Sequence, residues 1–451
     1  MESKLEKKYG LFTAIAMVVG IVIGSGVFFK AEKILTATGG NLKQGILAWI
    51  VGGIIMISCA YTFSVMATKY QYINGIVDYA EATVGKKYAY YVGSFMAIIY
   101  YPTITSVLAW VSARYTCVIF GFSITGGECM TIACLYLISS FTINALSPVL
   151  AGKFQVSTTV IKLIPLFLMA IVGTFTGLRN GMTAYNFTHT VFASTANGLF
   201  TAVVAASFAY EGWIIATCIN AELRNAKRNL PLALISGTLI TMAAYILYYI
   251  GLAGTIKNEI IMAGGEAGAK LAFQTVFTSI GGNLLFVFVI ISCLGTLNGL
   301  MLGCTRGIYS LAARGLGPKP KVFSQVDSMT NMPVNSAILG LFLCGIWLFY
   351  FYGANLTASW FGFFTFDSSE LPIVTVYALY VPIFIMFMVK SKGLNFFNRI
   401  LMPCLSLAGC VFMIIAAWFA HGMAVVAFLI VFFVVMVFSA LISHRSETIN
   451  K

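Results

Sequence analysis

Charged residues are scarce in this chain. They make up 9% of its 451 residues, whereas a soluble globular protein carries about 25%. Histidine occurs only three times, and the ten cysteines are scattered with no C-x-x-C pair. No Ser/His/Asp set or phosphate-binding loop accompanies them. These shortages count against an enzyme, a metal site and a disulfide framework, and we expect no cofactor.

Apolar residues are correspondingly abundant. The chain is 60% hydrophobic with a mean hydropathy of +0.93, and many runs approach the roughly 20 residues that cross a bilayer as a helix. The first run lacks a small-residue cleavage site, so we expect it to remain as a span. We predict an all-α integral membrane protein with twelve spans, at about 10–37, 45–68, 88–119, 128–146, 154–177, 196–221, 231–253, 283–312, 333–352, 369–389, 398–419 and 423–443.

The excess of positive charge has a simple interpretation. A net charge of +13 can indicate nucleic-acid binding, but lysine and arginine also collect in the cytoplasmic loops of membrane proteins. With the N-terminus inside, most of these residues fall in cytoplasmic segments. Lys30 is counted with the few outer ones, and Lys162 is left within the membrane. We therefore expect a lipid bilayer partner, no nucleic acid, and both termini in the cytoplasm at the cell (plasma) membrane.

Two spans contain glycine-bearing breaks: Gly24-Ser25-Gly26 in span one and Phe208–Gly212 in span six. Lipid cannot satisfy freed backbone groups, so a break at mid-depth is costly unless it lines a cavity. Paired breaks in the two halves of a chain are typical of the substrate site of a secondary transporter.

The position of the breaks predicts the organisation of the chain. Spans two to five separate them, and an odd number of spans per repeat inverts the second copy. The expected domains are a cytoplasmic segment (1–9), a transport core of two inverted five-helix repeats (10–390; about 10–180 and 190–390), helices eleven and twelve (391–443) and a cytoplasmic tail (444–451).

The first break has the chemistry of a carboxylate site. Amide groups at the start of its second half-helix lie at the positive end of the helix dipole, and Ser25 can add a hydroxyl donor. The alternative is a packing face of small residues, because Ala16, Gly20 and Gly24 have four-residue spacing.

The second break has complementary chemistry. Unwound carbonyls can accept from an ammonium group, and Glu211 is the only acidic residue deep in a span. An intramembrane carboxylate indicates function by default. The alternatives are a structural Glu bonded to a neighbouring helix and a protonated Glu.

Three further charged residues have alternative interpretations. Lys162 in span five is either a fixed cation where a coupled sodium would sit, a proton-linked group, or a side chain that snorkels to the inner interface. Asp367 and Glu370 precede an apolar run with the spacing of a helix capping box, so we expect capping there.

Several motifs resemble one family of transporters. The segment 20–29 resembles the first-helix motif of the amino acid–polyamine–organocation superfamily. Residues 208–213 and 221–231 are similar to the sixth helix and following loop of its L-type amino acid transporter branch. Leu297-Asn298-Gly299, Arg306 and 313–318 are similar to that branch's eighth helix, and the order agrees across about residues 10–390.

The resemblance implies a LeuT-type fold and sodium-independent exchange of amino acids. It implies that Ser25 and Gly26 meet the substrate carboxylate and that carbonyls near both breaks meet the amino group. Phe208 corresponds to an aromatic gate, and Lys162 to the lysine that stands in for sodium. The implied substrate-binding residues are Val22, Gly24, Ser25, Gly26, Phe208, Ala209, Glu211 and Gly212.

Two departures shape the functional prediction. The position of Glu211 is often small in members that carry neutral substrates and acidic in some that accept cationic ones. Animal members bond an ancillary glycoprotein through a cysteine in the third outer-loop region, whereas the stretch 121–127 has none and Cys129 is not at the matching place. We therefore expect a stand-alone bacterial transporter with no ancillary heavy subunit.

The prediction is an exchanger of small neutral amino acids working by alternating access. The alternative is a transporter of cationic amino acids or amines read by Glu211. A proton-coupled symporter and a channel are less favoured. The sequence shows no filter-like motif of the kind that a channel would need.

Overall fold

A computed structural model describes residues 10–70, 75–192, 197–216, 223–330, 332–357 and 359–449. Within these ranges the chain forms helices and connecting turns and contains no β-strand. The predicted N-terminal segment 1–9 lies outside the described residues.

The first half of the chain contains two long helices that include π-helical turns, at Met96–Tyr100 and Met169–Gly173. Its α-helices are α1 (Leu11–Val22), α2 (Gly26–Ala37), α3 (Leu42–Lys69), α4 (Ile76–Thr83), α5 (Lys86–Phe95), α6 (Tyr101–Phe120), α7 (Gly127–Leu146), α8 (Pro148–Leu168), α9 (Thr174–Arg179) and α10 (Met182–Thr188).

The second half has the same character, with π-helical turns at Tyr352–Leu356 and Phe397–Leu401. Its α-helices are α11 (Gly198–Tyr210), α12 (Trp213–Ala216), α13 (Ala226–Ala253), α14 (Asn258–Gly264), α15 (Glu266–Ala312), α16 (Pro320–Phe323), α17 (Val334–Phe351), α18 (Leu371–Lys390), α19 (Met402–His421) and α20 (Met423–Ile449).

Ten helical stretches in the described chain are long and apolar enough to cross a membrane. They coincide with predicted spans two to five and seven to twelve. The segments for spans one and six instead contain shorter apolar helices, Leu11–Gly20 and Gly198–Tyr210, because each is interrupted at its predicted break. The twelve-span count and the inverted repeat stay predictions.

Two helices extend beyond the predicted ends of their spans. α15 begins at Glu266, ahead of predicted span eight (283–312), and bends at Thr278, where φ is +64°. α20 continues to Ile449, past residue 444 where the predicted tail begins, and the cytoplasmic tail itself stays a prediction. A helix need not end where its side chains become polar, since its hydrogen bonds are internal to the segment.

Capping by Asp367 is confirmed. Its Oδ1 accepts hydrogen bonds from the backbone N–H groups of Ser369 at 2.8 Å and Glu370 at 3.2 Å, ahead of α18. The buried carboxylate of Glu370 lies 3.1 Å from Nε2 of His421. His421 is the last residue of α19, so Glu370 pairs with a side chain from another helix.

The helices divide into two compact units. The first unit comprises the described residues of Met1–Ala89, Leu163–Leu285 and Ile373–Ala420. The second comprises Tyr90–Lys162, Phe286–Pro372 and those described in His421–Lys451. Predicted spans one, two, six and seven fall in the first unit, and most of spans three, four, eight and nine fall in the second.

Glycines allow close helix contacts in the first unit. A Cβ atom at Gly251 of α13 would collide with the carbonyl oxygen of Met169, and one at Gly173 would lie 2.7 Å from the Gly251 oxygen. Small residues let membrane helices approach in this way. The C-terminal part of predicted span five therefore packs backbone to backbone against α13.

Candidate functional site

The first break separates α1 from α2. Ile23 has extended backbone angles (φ −67°, ψ 106°), so the helix ends at Val22. The first hydrogen bond within α2 runs from the Phe29 N–H to the Ser25 oxygen, at 3.0 Å. The amides of Gly26, Val27 and Phe28 precede that bond, and such N-terminal amides can bind an anion.

The second break follows α11. Glu211 has extended backbone angles (φ −69°, ψ 156°), and Gly212 has a φ of +106°, which glycine adopts far more readily than other residues. The short helix α12 then begins at Trp213. The part of the predicted motif at 217–222 lies outside the described residues.

The two breaks meet inside the first unit. A Cβ atom on Gly26 would collide with Cα of Ala209, so the beginning of α2 touches the end of α11 backbone to backbone. Ser25, Val22 and Ala209 are all buried there. The structure thus brings together residues that the sequence assigns to the carboxylate and amino ends of one substrate.

Tyr245 of α13 joins the breaks, and the sequence prediction missed it. Its hydroxyl oxygen lies 3.0 Å from the Val22 oxygen and 2.9 Å from the Ala209 oxygen. The side chain is 0% exposed. The only available signal was a cluster of hydroxyl-bearing rings in span seven, which equally fits packing.

Aromatic side chains of α3 and α11 pack against the ring of Tyr245. Trp49 of α3 packs edge-on against Tyr245 at a ring-centre distance of 5.3 Å and against Tyr210 at 5.6 Å. The Tyr210 hydroxyl donates to the Trp49 carbonyl at 2.9 Å. All three side chains are buried, so packing fixes the position of the bridging hydroxyl oxygen.

Glu211 has a more open environment than these residues. Its side chain is partly exposed and lies within electrostatic range of Tyr377 and Tyr380 of α18. The acidic group therefore lies beside tyrosines of predicted span ten, a neighbourhood that sequence spacing could not reveal.

Phe208 lies at the end of α11 and is 7% exposed. Its ring centre is 5.9 Å from that of Phe29 and 4.7 Å from the Nζ of Lys30. The side chain of Lys30 is fully buried in α2, and its assignment to the outer side of the membrane stays a prediction.

Lys162 belongs to the second unit. It is 2% exposed and lies on α8, one turn after the buried Thr158. Thr158 is packed so closely that a Cβ on Gly295 would collide with its hydroxyl. This burial favours a fixed internal cation over a side chain extended to water, and the role of Lys162 stays a prediction.

The described parts of the chain contain no cluster of side chains that could hold a metal ion. No three His, Cys, Asp or Glu side chains among those residues lie close enough to hold one ion. The described groups at the two breaks are backbone amides and carbonyls, the hydroxyls of Ser25 and Tyr245, and the Glu211 carboxylate.

Known proteins with similar sequences carry amino acids. A family model described as amino acid permease matches residues 9–441. The serine/threonine exchanger SteT of Bacillus subtilis is 28% identical over 421 residues, covering 92% of this chain and 91% of that protein. The b(0,+)-type amino acid transporter 1 of Homo sapiens is 27% identical over 344 residues, covering 73% and 68%. The cystine/glutamate transporter of Homo sapiens is 21% identical over 341 residues, covering 74% and 66%.

Proposed function

The chain belongs to the amino acid permease family, and we propose that it is a sodium-independent exchanger of small neutral amino acids that works by alternating access. Amino acid transport is the activity shared by its named relatives. The substrate class, the exchange mode and sodium independence are the parts of this proposal that need testing.

The single observation that carries the proposal is the meeting of three helix ends around Tyr245. The beginning of α2 offers backbone amides and the Ser25 hydroxyl to a carboxylate. The ends of α1 and α11 offer the carbonyls of Val22 and Ala209 to an ammonium group. A zwitterion matches both, since anions are stabilised at helix N-termini and cations at C-termini.

Two observations favour a small side chain on the substrate. The backbones of Gly26 and Ala209 are in contact, and Trp49, Tyr210 and Tyr245 fill the space behind them. The exchanger that is similar over 92% of this chain is named for serine and threonine. Both support a substrate with a short side chain.

Glu211 supports the second candidate, transport of cationic amino acids or amines. It is a partly exposed carboxylate at the second break, where a second positive charge on the substrate could pair with it. We place this below the neutral substrate because Tyr377 and Tyr380 already lie beside Glu211.

The remaining parts of the proposal concern the transport cycle. Lys162 supports sodium independence, since a buried ammonium in span five can replace a cation. Phe208 would close over the substrate from outside. Spans one, two, six and seven would rock as one bundle, and their shared membership of the first unit supports this. We also propose a cell-membrane location, cytoplasmic termini and no heavy subunit.

Counterflow in proteoliposomes tests the function. Labelled serine outside should accumulate only when unlabelled serine is inside, and the accumulation should be unaffected by sodium. Excess lysine, serine and leucine should then compete to different extents, with serine strongest. Flux that needs no internal amino acid would refute exchange, and dominance by lysine would favour the cationic alternative.

A further inference from the structure

A buried lysine contacts the proposed gate. Lys30 lies on α2 and is 0% exposed, although lysine is almost never fully buried without a compensating interaction. Its Nζ is 4.8 Å from the centre of the Phe29 ring and 4.7 Å from the centre of the Phe208 ring. Both distances are within the roughly 6 Å range of a cation–π contact.

The position of Lys30 connects this contact to the substrate site. Lys30 follows Gly26 by four residues, so the two lie on the same face of α2, one turn apart. Gly26 contacts Ala209, the residue after Phe208. One face of α2 therefore touches α11 twice, once through the backbone at the break and once through an ammonium group on the Phe208 ring.

We propose that Lys30 is a positioning residue that latches Phe208 over the bound substrate. This inference rests on the proposed function, in which Phe208 is the outer gate. A cation–π contact is stronger where water is excluded, and both partners are buried. To open the gate, Phe208 must withdraw its ring from the ammonium group. The contact therefore favours the closed gate and slows the release of bound substrate to the outside.

Substitutions at Lys30 separate charge from bulk. Lys30→Met keeps most of the apolar stem and removes the cation, and Lys30→Arg keeps a cation that also stacks on rings. In counterflow, we expect Lys30→Met to raise the external half-saturation concentration about tenfold, equivalent to about 1.4 kcal/mol. The half-saturation concentration for internal substrate should change much less. Lys30→Arg should return the external half-saturation concentration most of the way to the wild-type value.

A double-mutant cycle tests the partner. If the latch acts through Phe208, Lys30→Met should add little in a Phe208→Leu background, because the contact is already lost. An equal penalty in both backgrounds would overturn the proposal and leave Lys30 a packing residue. The same cycle on the thermal midpoint of purified protein gives the coupling without any transport assay.

Fluorination covers the case in which Lys30→Met does not fold. Mono-, di- and trifluorophenylalanine at position 208 progressively weaken the negative ring face and leave Lys30 intact. The external half-saturation concentration, or the thermal midpoint, should change stepwise with fluorine number. No change across the series would overturn the proposal.

Failure of the proposed function gives a different result. The wild-type protein would then show no counterflow, while the double-mutant cycle on the thermal midpoint would still measure the coupling between Lys30 and Phe208.

Discussion

Gly26 and Ala209 touch without an intervening side chain. A methyl group at Gly26 would collide with Cα of Ala209, and forcing an extra carbon into a packed contact costs about 1–3 kcal/mol. We predict that Gly26→Ala separates the two helix ends and lowers serine counterflow at least about tenfold. Gly127→Ala is the matched control, because a Cβ there meets nothing within 4 Å. Normal counterflow by Gly26→Ala would rule out the carboxylate site at α2.

Removing the Tyr245 hydroxyl should weaken the site while keeping the fold. Tyr245→Phe leaves the Val22 and Ala209 carbonyls without this donor, and an unsatisfied buried acceptor costs about 1–3 kcal/mol. We expect a lower thermal midpoint and a serine half-saturation concentration raised about tenfold or more.

Tyr248→Phe provides the comparison, since it removes a hydroxyl from the same helix and retains ring contact with Phe28. Equal effects of the two substitutions would mean that bridging of the helix ends is unimportant for binding.

Glu211→Gly tests how the substrate side chain is recognised. Because Glu211 is partly exposed at the break, we expect the substitution to alter the ranking of serine, leucine and lysine as competitors more than it alters the amount of folded protein. Competition assays in proteoliposomes and fluorescence-detected size exclusion measure the two quantities. An unchanged ranking would assign Glu211 to a purely structural role beside Tyr377 and Tyr380.

Sodium independence depends on Lys162 in our proposal. Replacing sodium by choline should leave wild-type counterflow unchanged, whereas Lys162→Met should reduce it strongly because the buried cation is lost. The exposed Lys153 on the same helix provides the control substitution Lys153→Met. A strict sodium requirement in the wild type would exclude the role given to Lys162.

Local sequence signals predicted a large part of this molecule. Long apolar runs predict ten membrane-length helices, nine of them within five residues at each end, whereas α15 begins at Glu266, well ahead of predicted span eight. The breaks at Gly24–Gly26 and Phe208–Gly212 are predictable because glycine and polar residues interrupt runs that lipid requires to be continuous. Capping by Asp367 was readable for a similar reason, since the residues involved are three positions apart.

Contacts between distant segments were not readable in this way. Tyr245 is more than 200 positions from Val22, and its ring has the same apolar character as its packed neighbours Tyr248 and Tyr249. The sequence does not show that Phe29 and Phe208 enclose Lys30. Such pairings arise from tertiary packing, which periodicity in one segment cannot encode.

The bridging hydroxyl of Tyr245 has a single hydrogen for two carbonyls, so it can donate to Val22 or to Ala209 but not to both at once. Two proton orientations follow, and each leaves the carbonyl of one helix end without the tyrosine hydrogen. The ammonium group of a substrate carries three hydrogens. It can donate a hydrogen bond to the carbonyl that the tyrosine hydroxyl leaves unbonded. The site would then accept its ligand by rotation of one O–H bond, with no displacement of the ring.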